Sequence, residues 1–335
     1  MSRYTEIEIK YQGVNISRDI APFLTSLTYT DNGNGRADDL NISLSDREGR
    51  WRGPWIPKRG EKIEASIILH NWQFDGKKRA LKCGTFEVDT INFSGPPDTV
   101  DIQAVSYPGN ARIKNERHTK SWEKVTLKQI GSRIAASAGM KFMFEASDVN
   151  FDRIDQTDET DIVFLNRLVE QEGCSLKVVN GAVVIYDDRK YENMKPVRTL
   201  TRGESDILSY SFELQTVDVS YAACQISYQD SSKKRTIKGT FRAPGATGPT
   251  LKINERVASE AEAIRKARNA LRQRNKEAQR ARLTLMGDYA LVQGVTVQLA
   301  GFGAFDNKYF VETATHSVGV GGYTTQLEIR KVLGY

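Results

Sequence analysis

The sequence is short of the residues that most often build catalytic and metal centres. Three histidines and three cysteines are spread over 335 residues. Cys83, Cys174 and Cys224 are odd in number and far apart. A disulfide framework wants an even set, and a zinc site wants paired ligands at close spacing, so neither is expected and a reducing cytoplasm fits. No apolar run approaches the roughly 18 residues of a membrane helix, which excludes a helical span and membrane insertion by that route. The first residues, MSRYTEIEIKYQ, hold no apolar core, so no signal peptide is expected. There is no glycine–lysine phosphate loop, no His-Glu-x-x-His pair and no calcium-binding loop.

What is present is an ordinary globular composition, 39% hydrophobic and 27% charged. A chain of this length suggests two or three domains. The formal net charge is +6, but it is concentrated. Residues 258–282 hold eight basic and three acidic side chains, a balance of +5, which leaves +1 for the other 310 residues. The basicity therefore belongs to one segment and does not mark the whole chain as a nucleic-acid binder.

Up to residue 110 the pattern is of short strands. TEIEIKY, Gln12-Gly13 and VNIS read as a hairpin, followed by SLTYT, DLNISLSD, KIEASIILH, GTFEVDTINFS and DTVDIQAVS, the last two divided by Gly95-Pro96-Pro97-Asp98. Arg47 to Gly60, with Trp51, Trp55, Pro54 and Pro57, reads as a loop with aromatic anchors. Many short strands with regular turns indicate a barrel or sandwich. The polar segment NARIKNERHTKSWEKV then reads as a linker.

An α/β insert over about 111–205 follows. Thr126 and Gln129 have capping-box spacing, Leu127, Ile130, Ile134 and Ala138 share one helix face, and Gly139 stops that helix. A second helix, Asp161 to Glu172, carries Phe164, Leu165, Leu168 and Val169, with Asp158 or Thr160 as its cap and Gly173 as its stop. CSLKVV and AVVIYDD flank Asn180-Gly181, a type I′ hairpin signal. The insert is expected to fold around its own core.

Strands resume at ILSYSFELQ, DVSYAACQISYQ and RTIKGTFRA. Ser259 and Glu262 form a second capping box, and a helix is expected from 259 to 282 with Ala261, Ile264, Ala267, Leu271, Ala278 and Ala281 on its apolar face. Its basic face offers Arg265, Arg268, Arg272, Lys276 and Arg280 as a contact surface for an acidic partner. Leu283 to Leu333 reads as four strands with glycine-marked turns. The expectation is a second all-β unit made of 206–238 and 283–335, bridged by the helix.

No constellation points to catalysis, so no catalytic, cofactor or metal residue is assigned. His316 and Ser317 are adjacent in a strand and face opposite ways, so they are not base and nucleophile. Gly301-Phe302-Gly303 and Gly319-Val320-Gly321-Gly322 lie between strands without a following helix and read as turns. Asp155 and Asp158 read as a solvated loop near a helix start. The basic helix has no aromatic residue for stacking on bases and no bulky apolar face for a membrane.

The order of these parts resembles the late control D family of phage tail proteins, the baseplate hubs of contractile tails, related to the N-terminal half of the VgrG spikes of type VI secretion. The likeness is carried by CGTFEVDTINFSGPPDTVDIQAVS, by TLKQIGSRIAASAG and ETDIVFLNRLVEQEGCSLKVVNGAVVIYDD, and by the run from SEAEAIRKARNAL to YTTQLEI with Gly287-Asp288, Gly294, Tyr309-Val311 and His316-Ser317. The resemblance implies a mainly β chain with an α+β insert and two tail-tube-like barrels. It implies a homotrimeric, non-enzymatic ring joining a sixfold tube to a threefold spike. Spike protein, tail tube protein, tape-measure protein and baseplate wedge proteins are the implied partners, with DNA passing through the lumen. The implied location is the baseplate of a virion or tail-like particle assembled in the bacterial cytoplasm. Two rivals are a tail-associated cell-wall hydrolase and a nucleic-acid-binding module using Arg268, Arg272 and Lys276.

Overall fold

The computed structural model describes residues 2–33, 35–72, 76–106, 112–215, 217, 219–230 and 235–335. The chain opens with β1 (Tyr4–Tyr11), which turns through Gln12 and Gly13, at φ 49° and 80°, into β2 (Val14–Asn15). A short α1 (Ser17–Ile20) leads to β3 (Leu24–Asn32), β4 (Asp39–Ser45), β5 (Lys62–His70), β6 (Lys78–Ser94) and β7 (Thr99–Val105). Alternation decides which face is buried: Leu40, Ile42 and Leu44 of β4 point inward and meet Ile63, Ile67, Phe86, Val100 and Ile102. Trp51 of the 46–61 loop is buried on this core, and Trp55 packs edge-on against it at 5.5 Å, so the loop is anchored as its aromatics suggest.

The insert holds α2 (Arg112–Asn115), β8 (Arg117–Thr126), α3 (Leu127–Ser137), β9 (Lys141–Glu145), β10 (Asn150–Thr160), α4 (Asp161–Gln171), β11 (Cys174–Val179), β12 (Ala182–Asp187) and α5 (Asp188–Glu192). Both halves of the Thr126–Gln129 capping box form, and Asn180 and Gly181 take φ 49° and 69° as the hairpin requires. Thr160 is the N-cap of α4, but its side chain makes no capping bond. The two helices and the sheet β11-β12-β9 enclose a separate core that includes Leu127, Ile134, Phe164, Leu168, Leu176 and Ile185.

Two expectations fail here. The polar stretch from Arg117 is no linker: it is β8, paired antiparallel with β10. Trp122 stacks on Phe164 at 6.0 Å and anchors this polar ribbon to the insert core. The first residues of that stretch, up to 111, lie outside the described residues. Asp155 and Asp158 are on β10, not in a loop.

The last part contains β13 (Arg198–Thr201), β14 (Ile207–Leu214), β15 (Ala223–Asp230), β16 (Arg235–Arg242), β17 (Thr250–Asn254), α6 (Glu260–Asn275), β18 (Gln279–Met286), β19 (Thr296–Ala300), β20 (Lys308–Gly319) and β21 (Gly322–Lys331). Three corrections apply. β13 pairs with β19, so the second unit begins before residue 206. β15 and β16 do not join the strands after 283: with β17 they form their own sheet under α6, around Cys224, Ile226, Ile237, Ala263, Ala267 and Leu271. The helix stops at Asn275, because Ala281, Leu283 and Leu285 alternate into the second core as a strand. On α6, Ala263 replaces the expected Ala261 and Ile264, which are exposed. A Cβ on Gly239 of β16 would lie 2.5 Å from the Ile264 nitrogen, so only small residues let strand and helix approach this closely. The two glycine clusters are turns: Gly301 and Gly303 lie between β19 and β20, and Gly319 pairs with Gly322.

The two β units have one plan. The first runs β3-β4-β7-β6-β5-β1 across the sheet, and the second runs β14-β18-β21-β20-β19-β13. Chain order matches position by position. Irregularities match too: β6 shifts register against β7 between Val88 and Thr90, and β20 against β21 between Val311 and Thr313. β3 shifts against β4 between Leu24 and Ser26, and β14 against β18 between Ile207 and Ser209. Gly60 N–H donates to Val88 O at 2.8 Å, and Gly294 N–H to Val311 O at 3.0 Å. The units differ at one edge, where β1 pairs β5 antiparallel and β13 pairs β19 parallel. The units are joined edge to edge, Thr313–Gly319 of β20 pairing with Ser26–Asn32 of β3, which makes one continuous sheet of 13 strands.

Candidate functional site: charged joints between the units

The basic residues singled out above do not share a solvent face. Arg272 is on the last turns of α6 and Lys276 is its C-cap, and both are buried. Arg272 donates to Glu192 at 2.8 Å and to the Tyr335 carbonyl; Lys276 donates to Asp188 at 2.6 Å. Arg330 of β21, 1% exposed, reaches Glu192 at 2.8 Å, Asp188 at 3.3 Å and, through Nε, Glu312 at 3.0 Å. Three carboxylates and three cations are therefore paired in a buried joint between α5, α6 and the β20–β21 hairpin. Burial pushes Asp188 and Glu192 upward, but Lys276 and Arg330 on the first, and Arg330 and Arg272 on the second, hold both carboxyls below their usual range. The remaining three candidates are half-exposed and also engaged. Arg265 pairs with Glu172, Arg268 lies over the Phe241 ring at 5.5 Å, and Arg280, on β18 and not on the helix, bridges Glu277 at 2.8 Å and Glu312 at 3.1 Å.

A second joint brings all three parts together. Lys177 of β11 pairs with Asp31 of β3 and lies 3.5 Å from Asp38. Gln293, before β19, donates its N–H to Asp31 at 2.9 Å and its Nε2 to Tyr186 of the insert at 2.8 Å. The backbone is tied as well, Gly35 N–H donating to Leu176 O at 2.7 Å and Ser106 Oγ to Val178 O at 2.9 Å. Asp38 is wholly buried and shares one lysine with Asp31. Burial raises its carboxyl to about 7 against the lowering pull of Lys177. Sequence reasoning missed both joints. The only local hint was the acidic pair Asp188 and Glu192, four apart on a five-residue helix whose partners lie 80 or more residues away.

Elsewhere the chemistry is structural. His316 is fully buried, bonded through Nδ1 to Tyr323 OH at 2.8 Å and parallel to Tyr29 at 6.1 Å; burial drops it to about 4. Ser317 faces away and meets Thr28 Oγ1 at 3.3 Å. The three thiols are buried and pushed up, Cys83 and Cys174 to about 12 and Cys224 to about 11. Asp155 is exposed and held low, first by Ser121, and Asp158 pairs with Arg117 at 3.1 Å. Among the described residues no cluster of His, Cys, Asp and Glu is arranged to hold a metal. A cavity of about 460 Å³ lies at the Trp51–Trp55 end of the first unit and is mostly apolar, with Tyr11, Lys58 and Glu61 at its polar edge.

Residues 69–321 match the family model described as "Phage tail baseplate hub (GPD)". The chain belongs to the phage tail baseplate hub family. It is therefore a structural baseplate hub protein of the phage-tail type. Its relatives include the probable baseplate hub protein of Escherichia phage 186, 25% identical over 360 residues and covering 94% of this chain and 90% of that one. The probable baseplate hub protein of Escherichia phage P2 is 32% identical over 199 residues, 57% of this chain and 49% of that one. Among solved structures, the 43 kDa tail protein of prophage MuSo2 from Shewanella oneidensis shares the fold, with TM-score 0.72 at 17% identity over 97% of this chain and 98% of that one.

Proposed function

We propose that three copies of this hub-family chain close into a ring that joins a sixfold tail tube to a threefold spike. The observation that carries the reading is the in-register duplication: each chain offers two units of equal strand plan side by side, so three chains offer six. A threefold object can then meet both symmetries. Spike protein on one side, tube protein on the other, and tape-measure and wedge proteins around them are the partners this reading requires, with DNA crossing the lumen. The chain acts by shape and contact, not by catalysis, and is assembled into its particle in the bacterial cytoplasm. Burial of Arg272 and Lys276 within neutral ion clusters speaks against the reading as a nucleic-acid module. The test is mass by light scattering, for the chain alone and mixed with its cognate spike. A mass of three chains is expected, and a monomer that persists with spike present would overturn the ring.

A further inference from the structure

In each unit one long strand runs past its neighbour. In the second unit this is β20: beyond the shift at Val311/Thr313, its Thr313–Gly319 half is paired with β21 on one side and with β3 of the first unit on the other. In the first unit the equivalent strand is β6, and the equivalent half is Thr90–Ser94. That half pairs with β7 on one side; on the other side, among the described residues, no strand meets it, because β5 ends its pairing at Glu87. The equivalent of β3 is β14, which pairs with β18 on one side and, among the described residues, with no strand on the other. The chain thus makes one of two equivalent edge contacts within itself and leaves both halves of the other open. Unpaired edges with apolar side chains are templates for strand addition. Phe93 is 40% exposed on one edge, and Tyr210 and Leu214 are 44% and 63% exposed on the other.

We propose that β14 of one copy pairs antiparallel with Thr90–Ser94 of β6 in the next copy, repeating between chains the β3–β20 contact made within one. The matched shifts fix the register. Val88 corresponds to Val311 and Leu24 to Ile207, so Thr90–Ser94 correspond to Thr313–Ser317, and Thr28–Asn32 to Ser211–Gln215. Within the chain Asp31 meets Ala314, Tyr29 meets His316 and Thr28 meets Ser317. Carried to the open edges, Ile91 meets Leu214, Phe93 meets Phe212 and Ser94 meets Ser211 of the next copy. Each pairing is chemically matched: aliphatic on aliphatic, ring on ring as Tyr29 on His316, hydroxyl on hydroxyl as Thr28 on Ser317. The occupant is a second copy, because the complementary edge, its register and its side chains are all found on this chain. The contact is head-to-tail, so it closes into a ring or runs on as a filament. Closure at three rests on the ring reading above; the pairing does not.

The test uses the full-length chain carrying Ile91→Cys and Leu214→Cys with a short bifunctional thiol reagent. The native thiols are buried and raised, so they stay silent. A covalent ladder ending at three chains is expected. The Ile91→Cys/Tyr210→Cys control, displaced by about 13 Å along the strand, should give little product. Singly, Ile91→Lys and Leu214→Lys should shift the mass toward one chain, and Ile91→Lys with Leu214→Glu should recover it, which separates interface loss from misfolding. A trimer by light scattering without the 91–214 product would overturn the pairing and leave the ring standing. A ladder that continues past three would support the pairing and overturn the ring. A single-chain mass with no product would overturn the pairing, and spike binding would then judge the hub reading alone.

Discussion

Arg330 is the side chain on which the buried joint converges, and its replacement by leucine isolates the joint's contribution. It lies within 2.8 Å of Glu192, 3.3 Å of Asp188 and 3.0 Å of Glu312. With leucine there, Asp188 keeps only Lys276 and Glu192 only Arg272, while Glu312 keeps the half-exposed Arg280, so each buried carboxylate loses one of its two cations. Breaking a buried ion set by removing one partner costs about 3–5 kcal/mol. Several cores make a single unfolding transition an unsafe readout, so local opening is the quantity to follow. Amide exchange in α5 and the last turn of α6 should accelerate by about 10²- to 4 × 10³-fold, since ~1.4 kcal/mol is a factor of ten in the opening equilibrium. The pH dependence should also reverse. In the unaltered chain Asp188 and Glu192 are held low, so their stabilisation is present at neutral pH and lost only as pH falls through those lowered values. In Arg330→Leu burial persists while a cation is gone, protonation becomes favourable, and acidification from neutral pH should slow exchange again. Glu192→Gln added to Arg330→Leu should restore part of the loss. Exchange within threefold of the unaltered chain, or an unchanged pH trend, would refute the reasoning.

Three further outcomes are expected. Gly287→Ala places a Cβ 1.9 Å from Cδ1 of Tyr323, a buried ring held by His316, and should lower the melting temperature sharply or prevent folding; Gly321→Ala, in open space, should change stability by less than ~0.5 kcal/mol. Asp38 keeps its proton in the folded state up to about 7, so the joint it shares with Lys177 is more stable at low pH and weakens as pH climbs from the ordinary aspartate value toward 7. Asp38→Asn should abolish that slope in amide exchange at Leu176–Val178, and persistence of the slope would assign it to another group. Thr126→Ala removes the bond accepted from Gln129 N–H and should cost about 1 kcal/mol in the insert's thermal stability, with amide exchange in the strands of the two β units unmoved.

What could be read in the sequence was local. The Gln12-Gly13 and Asn180-Gly181 turns require positive φ, and the Thr126 capping box bonds within four residues, as does the Ser259 cap, where the Glu262 carboxylate takes the Ala258 N–H in place of the Ser259 N–H and only half of the expected box forms. Membership of a sheet is not local. β15 and β16 alternate as well as β14 does, and nothing in their residues says that α6, and not β18, will cover them. β8 and β10 were hidden because their exposed faces are charged and their pairing partner lies some 30 residues away, with Trp122 and Val125 as buried anchors and Phe151 and Ile154 packed beside them. Past Asn275 the residues favour a helix, and the burial of Ala281, Leu283 and Leu285 in a distant core overrides that preference. The basic face failed for the same reason: a run of arginines is legible, but Asp188 and Glu192 of α5 and Glu312 of β20, which neutralise it, come from two other places along the chain.

The insert's grip on the two units has a mechanical meaning. The connection between β3 and β4 is residues 33–38; its counterpart, between β14 and β18, is residues 215–278 and carries α6. The first holds β11 through Gly35 and the Ala37–Val178 bridge. The second holds α4, through Asn269 on the Gln171 carbonyl and Gln273 on the Glu170 carbonyl, both at 3.1 Å. The same corner of each unit thus clasps the insert, one at β11 and the other at the end of α4. Apart from this block, the units meet along the β20–β3 pair and through Trp72, which donates to the Gly287 carbonyl at 2.6 Å and packs on Tyr323 at 5.5 Å. The insert adds a further route beside that seam, so a load applied to one unit can pass to the other through β11 and α4 as well as through the shared sheet.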